Sequence, residues 1–284
     1  MFYFTQGTNK HIVKALDVTS PPAIYGGSFG VFGVAGTDNT HLTFPQGLTA
    51  DLSGNIYVCS RYRIVKLTSS LTYVSEASTM TSCGDPFGII YDVTNNALYV
   101  AGIWENAHIR LIKMTTALAV TVQSGNFSPN YLVGKPSGIC RGFTADSFII
   151  CGINRDLYKT VETGSFTPFN TVTITGEPTT YPRLFTTTTY NSMAMHSNGY
   201  LYLNNGRKIL KVDNTYTNIG DSEQLARTLV GLKECADGSL VTYNADTKTL
   251  IRLNENMNYI EDIFTDTGSL VSNDNKEDID FVEL

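Results

Sequence analysis

The chain alternates short runs of β-branched and aromatic residues with breaks rich in Gly, Asn and Ser, and this pattern recurs. Its clearest copy is FPQGLTADLSGNIYVCSRYRIVKL, residues 44–67. Pro45-x-Gly47 opens a first strand over 48–52, and a polar turn at Ser53, Gly54 and Asn55 precedes a second over 56–60. An arginine-rich tip (Arg61, Tyr62, Arg63) then leads into a third strand over 64–68. Short apolar runs bounded by turn formers are a strand-and-hairpin signature, not a helical one.

Weaker copies follow. Pro86-Phe87-Gly88-Ile89 precedes Asn95-Asn96, an apolar run over 97–100 and a third strand from His108. Pro136-Ser137-Gly138-Ile139 precedes runs over 147–151 and 156–159. In the fourth copy Tyr190 takes the place of proline, while Ser197-Asn198-Gly199 and the runs over 200–203 and 208–211 keep the phrase. The fifth reads Gly231-Leu232, Asp237-Gly238, then 239–242 and 249–253.

The chain stops after one more strand, 278–284, and its N-terminus supplies what that copy lacks. Phe2-Tyr3-Phe4-Thr5 aligns with the second strand and 11–16 with the third. A chain that begins and ends mid-repeat closes on itself and leaves no free sheet edge. Five whole copies and one split copy make six. Pro45, Pro86, Pro136, Tyr190, Leu229 and Lys276 are equivalent positions, at intervals of 41, 50, 54, 39 and 47 residues. Such a period fits a four-stranded unit. It predicts outer strands over 71–77, 119–123, 171–175 and 259–264.

Pro-x-Gly-aliphatic, then Asp or Asn before Gly, aliphatic-Tyr-Val and Arg/His-Ile-x-Lys resembles the NHL repeat, most closely in the first two copies. The resemblance implies an all-β, six-bladed β-propeller spanning 1–284 as a single domain. It implies no function, because one fold hosts many.

Composition narrows the classes. Charged residues are 16% of the chain, against about 25% in typical globular proteins. Thr and Asn fill the gap, a surface chemistry that points toward extracellular and virion proteins. No run approaches the roughly 18 to 20 apolar residues of a membrane span. The first residues lack the basic and apolar regions of a signal peptide. The expected location is a virion or the cytoplasm, unless a signal has been removed. Five cysteines in no CxxC spacing read as free, buried small hydrophobes, although Cys140 and Cys151 could face each other across one hairpin. A net charge of -6 argues against nonspecific nucleic-acid binding.

Strand alternation puts the tips between second and third strands at one end of every blade. There Lys10, Arg61, Arg63, Arg155, Arg207, Lys208 and Lys248 outnumber Glu105, Asp156 and Asp246, so that rim is basic on an acidic chain. Tyr62 and the only tryptophan, Trp104, lie in the same tips. Arg61, Tyr62, Arg63, Trp104, Arg155, Arg207 and Lys208 are therefore candidates for binding a partner, an acidic protein surface or an anionic glycan, with Trp104 as a stacking platform. The competing reading is that a basic residue at the start of the third strand belongs to the repeat and serves a neighbouring blade. The segment 164–190, with Pro168, Pro178 and Pro182, reads as an outer strand plus an excursion, either a partner contact or an unconstrained loop.

Gln46, Asp85, Asn191, Glu277, Asp278 and Asp280 fall at or near the starts of inner strands. Oxygen ligands from several blades suit Ca²⁺, with Asp85, Asn191 and Asp278 as the candidate ligands. The four histidines occupy unlike positions in their repeats and do not form a zinc set. No nucleophile elbow, phosphate loop or HExxH motif is present. The expectation is a noncatalytic, cofactor-free interaction or structural propeller, of the kind that serves in a virion or phage tail. The alternative is a metal-dependent lactonase or lyase-type enzyme acting at the channel mouth.

Overall fold

A computed structural model describes residues 1–6, 11–18, 24–104, 108–127, 138–151, 157–176, 192–223, 225, 229–265 and 281–284. They form six four-stranded antiparallel sheets, the all-β six-bladed propeller fold. The sheets group into two compact units of three.

In the first unit, β1 (Phe2–Gln6), β2 (Ile12–Asp17) and β3 (Ile24–Phe29) are joined by the C-terminal β24 (Phe281–Glu283). Phe2 pairs with Glu283 and Phe4 with Phe281, so the split repeat is completed as its sequence predicts. The second sheet holds β4 (Pro45–Ala50), β5 (Ile56–Ser60), β6 (Arg63–Leu67) and β7 (Tyr73–Ser78). The third holds β8 (Asp85–Asp92), β9 (Ala97–Trp104), β10 (His108–Thr115) and β11 (Val120–Gln123).

The second unit contains β12 (Gly138–Arg141), β13 (Ser147–Cys151), β14 (Leu157–Val161) and β15 (Asn170–Val172). Next come β16 (Ser192–Met195), β17 (Leu201–Asn204), β18 (Ile209–Val212) and β19 (Asn218–Asp221). The last sheet is β20 (Leu229–Glu234), β21 (Leu240–Asn244), β22 (Thr249–Leu253) and β23 (Tyr259–Thr265). Outer strands β7, β11, β15 and β23 lie where the period predicts them. β3 and β19 were not anticipated, because IYGGSF and NIGD lack a continuous apolar run.

Second strands are buried on both faces, which explains their unbroken apolar runs. Along β5, Ile56 and Val58 pack with Tyr3, Val13 and Leu48, while Tyr57 and Cys59 pack with Ile89, Leu98 and Val100 of the next sheet. Alternate residues of one strand thus fill two different cores, as the two-residue side-chain period requires. β17 repeats the arrangement, with Leu201 and Leu203 on one side and Tyr202 on the other. Each such aliphatic side chain contributes about 1.5 to 3 kcal/mol on burial.

The Pro-x-Gly phrase encodes a bulge in the inner strand. β4 shifts register between Pro45 and Leu48, and β8 between Pro86 and Gly88. Gly47 is required because β4 here runs against β8: a Cβ would lie 2.8 Å from the Phe87 carbonyl oxygen.

The tyrosine of the repeat joins blades at the opposite end. Tyr3 donates to the Ser69 carbonyl of the next sheet at 2.7 Å, and Tyr202 to that of Glu255 at 2.5 Å. The Tyr57 hydroxyl lies 3.1 Å from the Thr116 carbonyl and 2.8 Å from Asp51 Oδ2, which caps its own turn. The repeat lysine covers the ring: Lys66 Nζ is 5.4 Å from the Tyr57 centroid, Lys113 5.6 Å from Tyr99 and Lys211 5.7 Å from Tyr202. All five cysteines are buried free thiols, and Cys140 and Cys151 share one core cluster without a bond.

Candidate functional site

Arg61 and Tyr62 form the two-residue turn between β5 and β6, closed by the Ser60–Arg63 pair. Tyr62 has φ 64°, in the left-handed region that a tyrosine seldom adopts. Its carbonyl accepts a 2.7 Å bond from the Thr79 amide, and the residue is 37% exposed. Arg61 is exposed, and its guanidinium carbon stands 5.4 Å from that ring centroid. This tip therefore presents a cation and an aromatic ring to solvent on a fixed backbone.

Arg63, one residue further, is buried. Its Nη1 donates to the carbonyls of Thr37 (2.6 Å) and Asp38 (3.2 Å), and its Nη2 to those of Gly36 (3.1 Å) and His41 (2.6 Å). It also pairs with Glu76. The planar five-donor fork suits this task, as lysine would not. Arg63 thus folds the connection between the first two sheets.

That connection is ordered throughout. Val31 bridges Val34, and Ala35 bridges Leu42. Asp38 accepts from the Thr40 amide and hydroxyl and sits 2.8 Å from His41 Nδ1. Bonds from Thr40, then from His41, hold the Asp38 carboxyl far below the ordinary aspartate value. Gly36 admits no side chain, since a Cβ would fall 2.6 Å from that of His41. The segment nevertheless exposes Val31, Phe32 and Val34, with Phe32 66% accessible.

In the third sheet Trp104 pairs with His108 across the hairpin, and the Arg110 guanidinium lies 4.0 Å from the Trp104 ring centroid. Arg110 Nη1 donates to the Ser82 carbonyl at 3.1 Å and Nε to Asn126 Oδ1. The tryptophan is half-buried, one face covered by its own blade's arginine. In the second unit Arg207 and Lys208 are half-buried in a tip shaped by Asn205, whose Oδ1 accepts both backbone amides. Lys208 Nζ is 2.7 Å from the Asp221 carboxylate. Arg155, Lys10, Glu105 and Asp156 lie outside the described residues.

At the inner-strand starts, Gln46 and Asp85 are half-buried, and the Gln46 carbonyl accepts a 2.7 Å bond from Thr5 Oγ1. Asn191 and Asp278, the other candidate Ca²⁺ ligands, fall outside the described residues, as do Glu277 and Asp280. No group of three or more His, Cys, Asp or Glu side chains able to hold a metal occurs among the described residues. His11 is buried against Phe44, its ring centroids 5.0 Å apart, and burial lowers its pKa. His196 Nε2 lies 2.8 Å from the Gly238 carbonyl.

The basic residues of one sequence class thus divide. Arg61 faces solvent; Arg63, together with Arg110, which the sequence reading passed over as a site residue, holds the chain entering its own blade. The exposed apolar turn at 31–34 was also missed, because it lies between repeats. Its only signal was Val-Phe-Gly-Val after Gly30, where no strand was required.

No family model and no curated protein matches the sequence. Among solved structures the chain is similar to a Bacteroides caccae protein of unknown function, with 8% identity, a TM-score of 0.70 and coverage of 100% of this chain and 99% of that one. It is similar to the WD40 β-propeller domain of Doa1, with 9% identity, a TM-score of 0.59 and coverage of 91% and 77%. A third is virginiamycin B lyase from Staphylococcus aureus, with 12% identity, a TM-score of 0.55 and coverage of 79% and 71%. At these identities the likeness establishes the propeller and nothing finer.

Proposed function

We propose that this propeller is a noncatalytic interaction or structural module, a virion or phage-tail component, that engages a protein partner through its hairpin tips. The observation that carries the reading is the Arg61–Tyr62 turn. It fixes a cation and an aromatic ring in solvent, a pairing enriched where proteins bind one another. Trp104, half-buried beneath Arg110, adds a second aromatic ring at the tips of the same unit. An acidic partner surface complements these groups, and the chain's own net charge of -6 keeps the attraction local.

The test is photo-crosslinking in the producing cell, with a benzophenone amino acid placed at Tyr62 or at Leu52. Leu52 is 78% exposed and lies in the turn preceding β5, whereas Tyr62 follows it. The two probes thus report opposite ends of one sheet. Crosslinks to a discrete protein from position 62 and none from position 52 are expected. Crosslinks from neither position, or equally from both, would remove the tip as a contact surface.

A further inference from the structure

The chain's sulfur is almost wholly shielded. All five cysteines are buried free thiols, and burial pushes that of Cys83 up to about 12. Met114, Met193 and Met257 are buried, while Met1 and Met195 are half-buried. Of the six methionines and five cysteines, only Met80 is exposed, at 58%.

The backbone under Met80 is fixed, and it is fixed to the tip. The β6–β7 ladder ends at the Arg63–Ser78 pair, and the Thr79 amide then donates to the Tyr62 carbonyl at 2.7 Å. Thr79 is fully buried: its carbonyl accepts the amides of Ser82, Cys83 and Gly84 at 3.0, 3.0 and 2.8 Å, and its Oγ1 donates to the Gly84 carbonyl at 2.7 Å. With Thr79 locked inward, Met80 and Thr81 form the outer side of a tight turn, and both are exposed. Met80 thus follows directly on the residue bonded to Tyr62.

A thioether reacts with oxidants through a sulfur lone pair, whereas a thiol must first become a thiolate. Burial and a retained proton protect the cysteines; exposure alone ranks the methionines. We infer that Met80 is an oxidation site of the tip, with a peroxide as its reagent, and that its oxidation weakens the contact made at Tyr62. The sulfur lone pair attacks one peroxide oxygen, an S–O bond forms and the O–O bond breaks. Sulfur is oxidised by two electrons, and the other oxygen leaves with both protons as water. A polar sulfoxide then stands where an apolar, adaptable side chain was. Methionine, like tyrosine and arginine, is enriched at protein contacts, so the change falls on the surface a partner would cover. The second half of the inference rests on the tip end being a protein-contact surface; the first half does not.

The first half is tested by treating the full chain with limiting hydrogen peroxide and following each methionine by peptide mass mapping. Met80 is expected to gain one oxygen about tenfold faster than Met114 or Met257. A rate no faster than theirs overturns the inference. The second half is read in producing cells with the benzophenone probe at position 62. Peroxide before illumination should cut the crosslink severalfold, Met80→Gln should do so without peroxide, and Met80→Leu should keep the crosslink in its presence. A crosslink that peroxide leaves unchanged, or that Met80→Leu fails to protect, overturns the second half and leaves the tip reading standing. If position 62 crosslinks to nothing, that reading falls and the second half with it, while the oxidation rates still decide the site.

Discussion

The two ends of a blade obey different rules. At the end holding the first-to-second and third-to-fourth strand turns, the same device recurs. A second-strand tyrosine (Tyr3, Tyr57, Tyr202) hydrogen-bonds a carbonyl in the next sheet, and lysines cover the Tyr57 and Tyr202 rings. Asx turns at Asp51, Asp92 and Asp237 close the hairpins. At the tip end the buried device recurs, Arg63 and Arg110 each donating to carbonyls of the chain entering its blade, but the outermost groups differ: Arg61 and Tyr62 are exposed in one blade, and Trp104 is capped by Arg110 in the next. Interactions that repeat from blade to blade hold the fold. Exposed groups that occur once are free of that duty and are where function is to be sought.

Substitutions can break or sharpen this division. The largest effect is expected for Arg63→Ala, which takes the donors from four backbone carbonyls, while the exposed Glu76 returns to water. Losing these charge-assisted bonds costs about 1.5 to 3 kcal/mol, to be read from urea unfolding. A loss under about 1 kcal/mol would show that the loop at 36–41 holds without its clamp. Arg63→Lys should fall between, since an ammonium cannot reach four carbonyls in one plane.

Tyr57→Phe comes next, at about 1 to 2 kcal/mol for a buried hydroxyl whose single proton is shared between two acceptors, the nearer a carboxylate. Tyr3→Phe should cost less, its hydroxyl having one. If neither moves the unfolding midpoint, the tyrosine contacts do not hold neighbouring sheets.

Acid tests the Asx turns. Burial alone would raise the Asp51 carboxyl, but hydrogen bonds from Asn55, Tyr57 and Ser53 outweigh it and hold it below the ordinary aspartate value. Asp237 is lowered by Ser239 and Arg252. A depressed folded pKa contributes stability above the unfolded value of about 3.9, and that stability is lost as pH falls through the folded one. The melting temperature should therefore drop below about pH 4. Asp51→Asn should be less stable at neutral pH, with a shallower acid limb; an unchanged slope would contradict the assignment.

The smallest stability effect belongs to the exposed tip. Arg61→Glu should stay within about 0.5 kcal/mol of wild type, while crosslinking from position 62 is lost.

The fold was legible because each blade repeats a short apolar phrase whose strands are buried on both faces, so β5, β17 and the split sheet of β1 and β24 could be read from residue type alone. The bulge behind Pro-x-Gly was not, since only the approach of β4 to β8 shows why Gly47 is glycine. At the site, sequence ranked Arg61 and Arg63 together. Burial, a property of the folded loop, separates them. Phe32 was missed because nothing local distinguishes an exposed turn between repeats from a linker.

Native mass spectrometry of the untreated full chain tests the central claim most directly, because it reports bound metal and assembly together. The account predicts a metal-free chain that holds a partner protein chain, which Arg61→Glu releases. A monomer carrying one tightly held divalent cation would contradict it and return attention to Asp85 and the inner-strand starts.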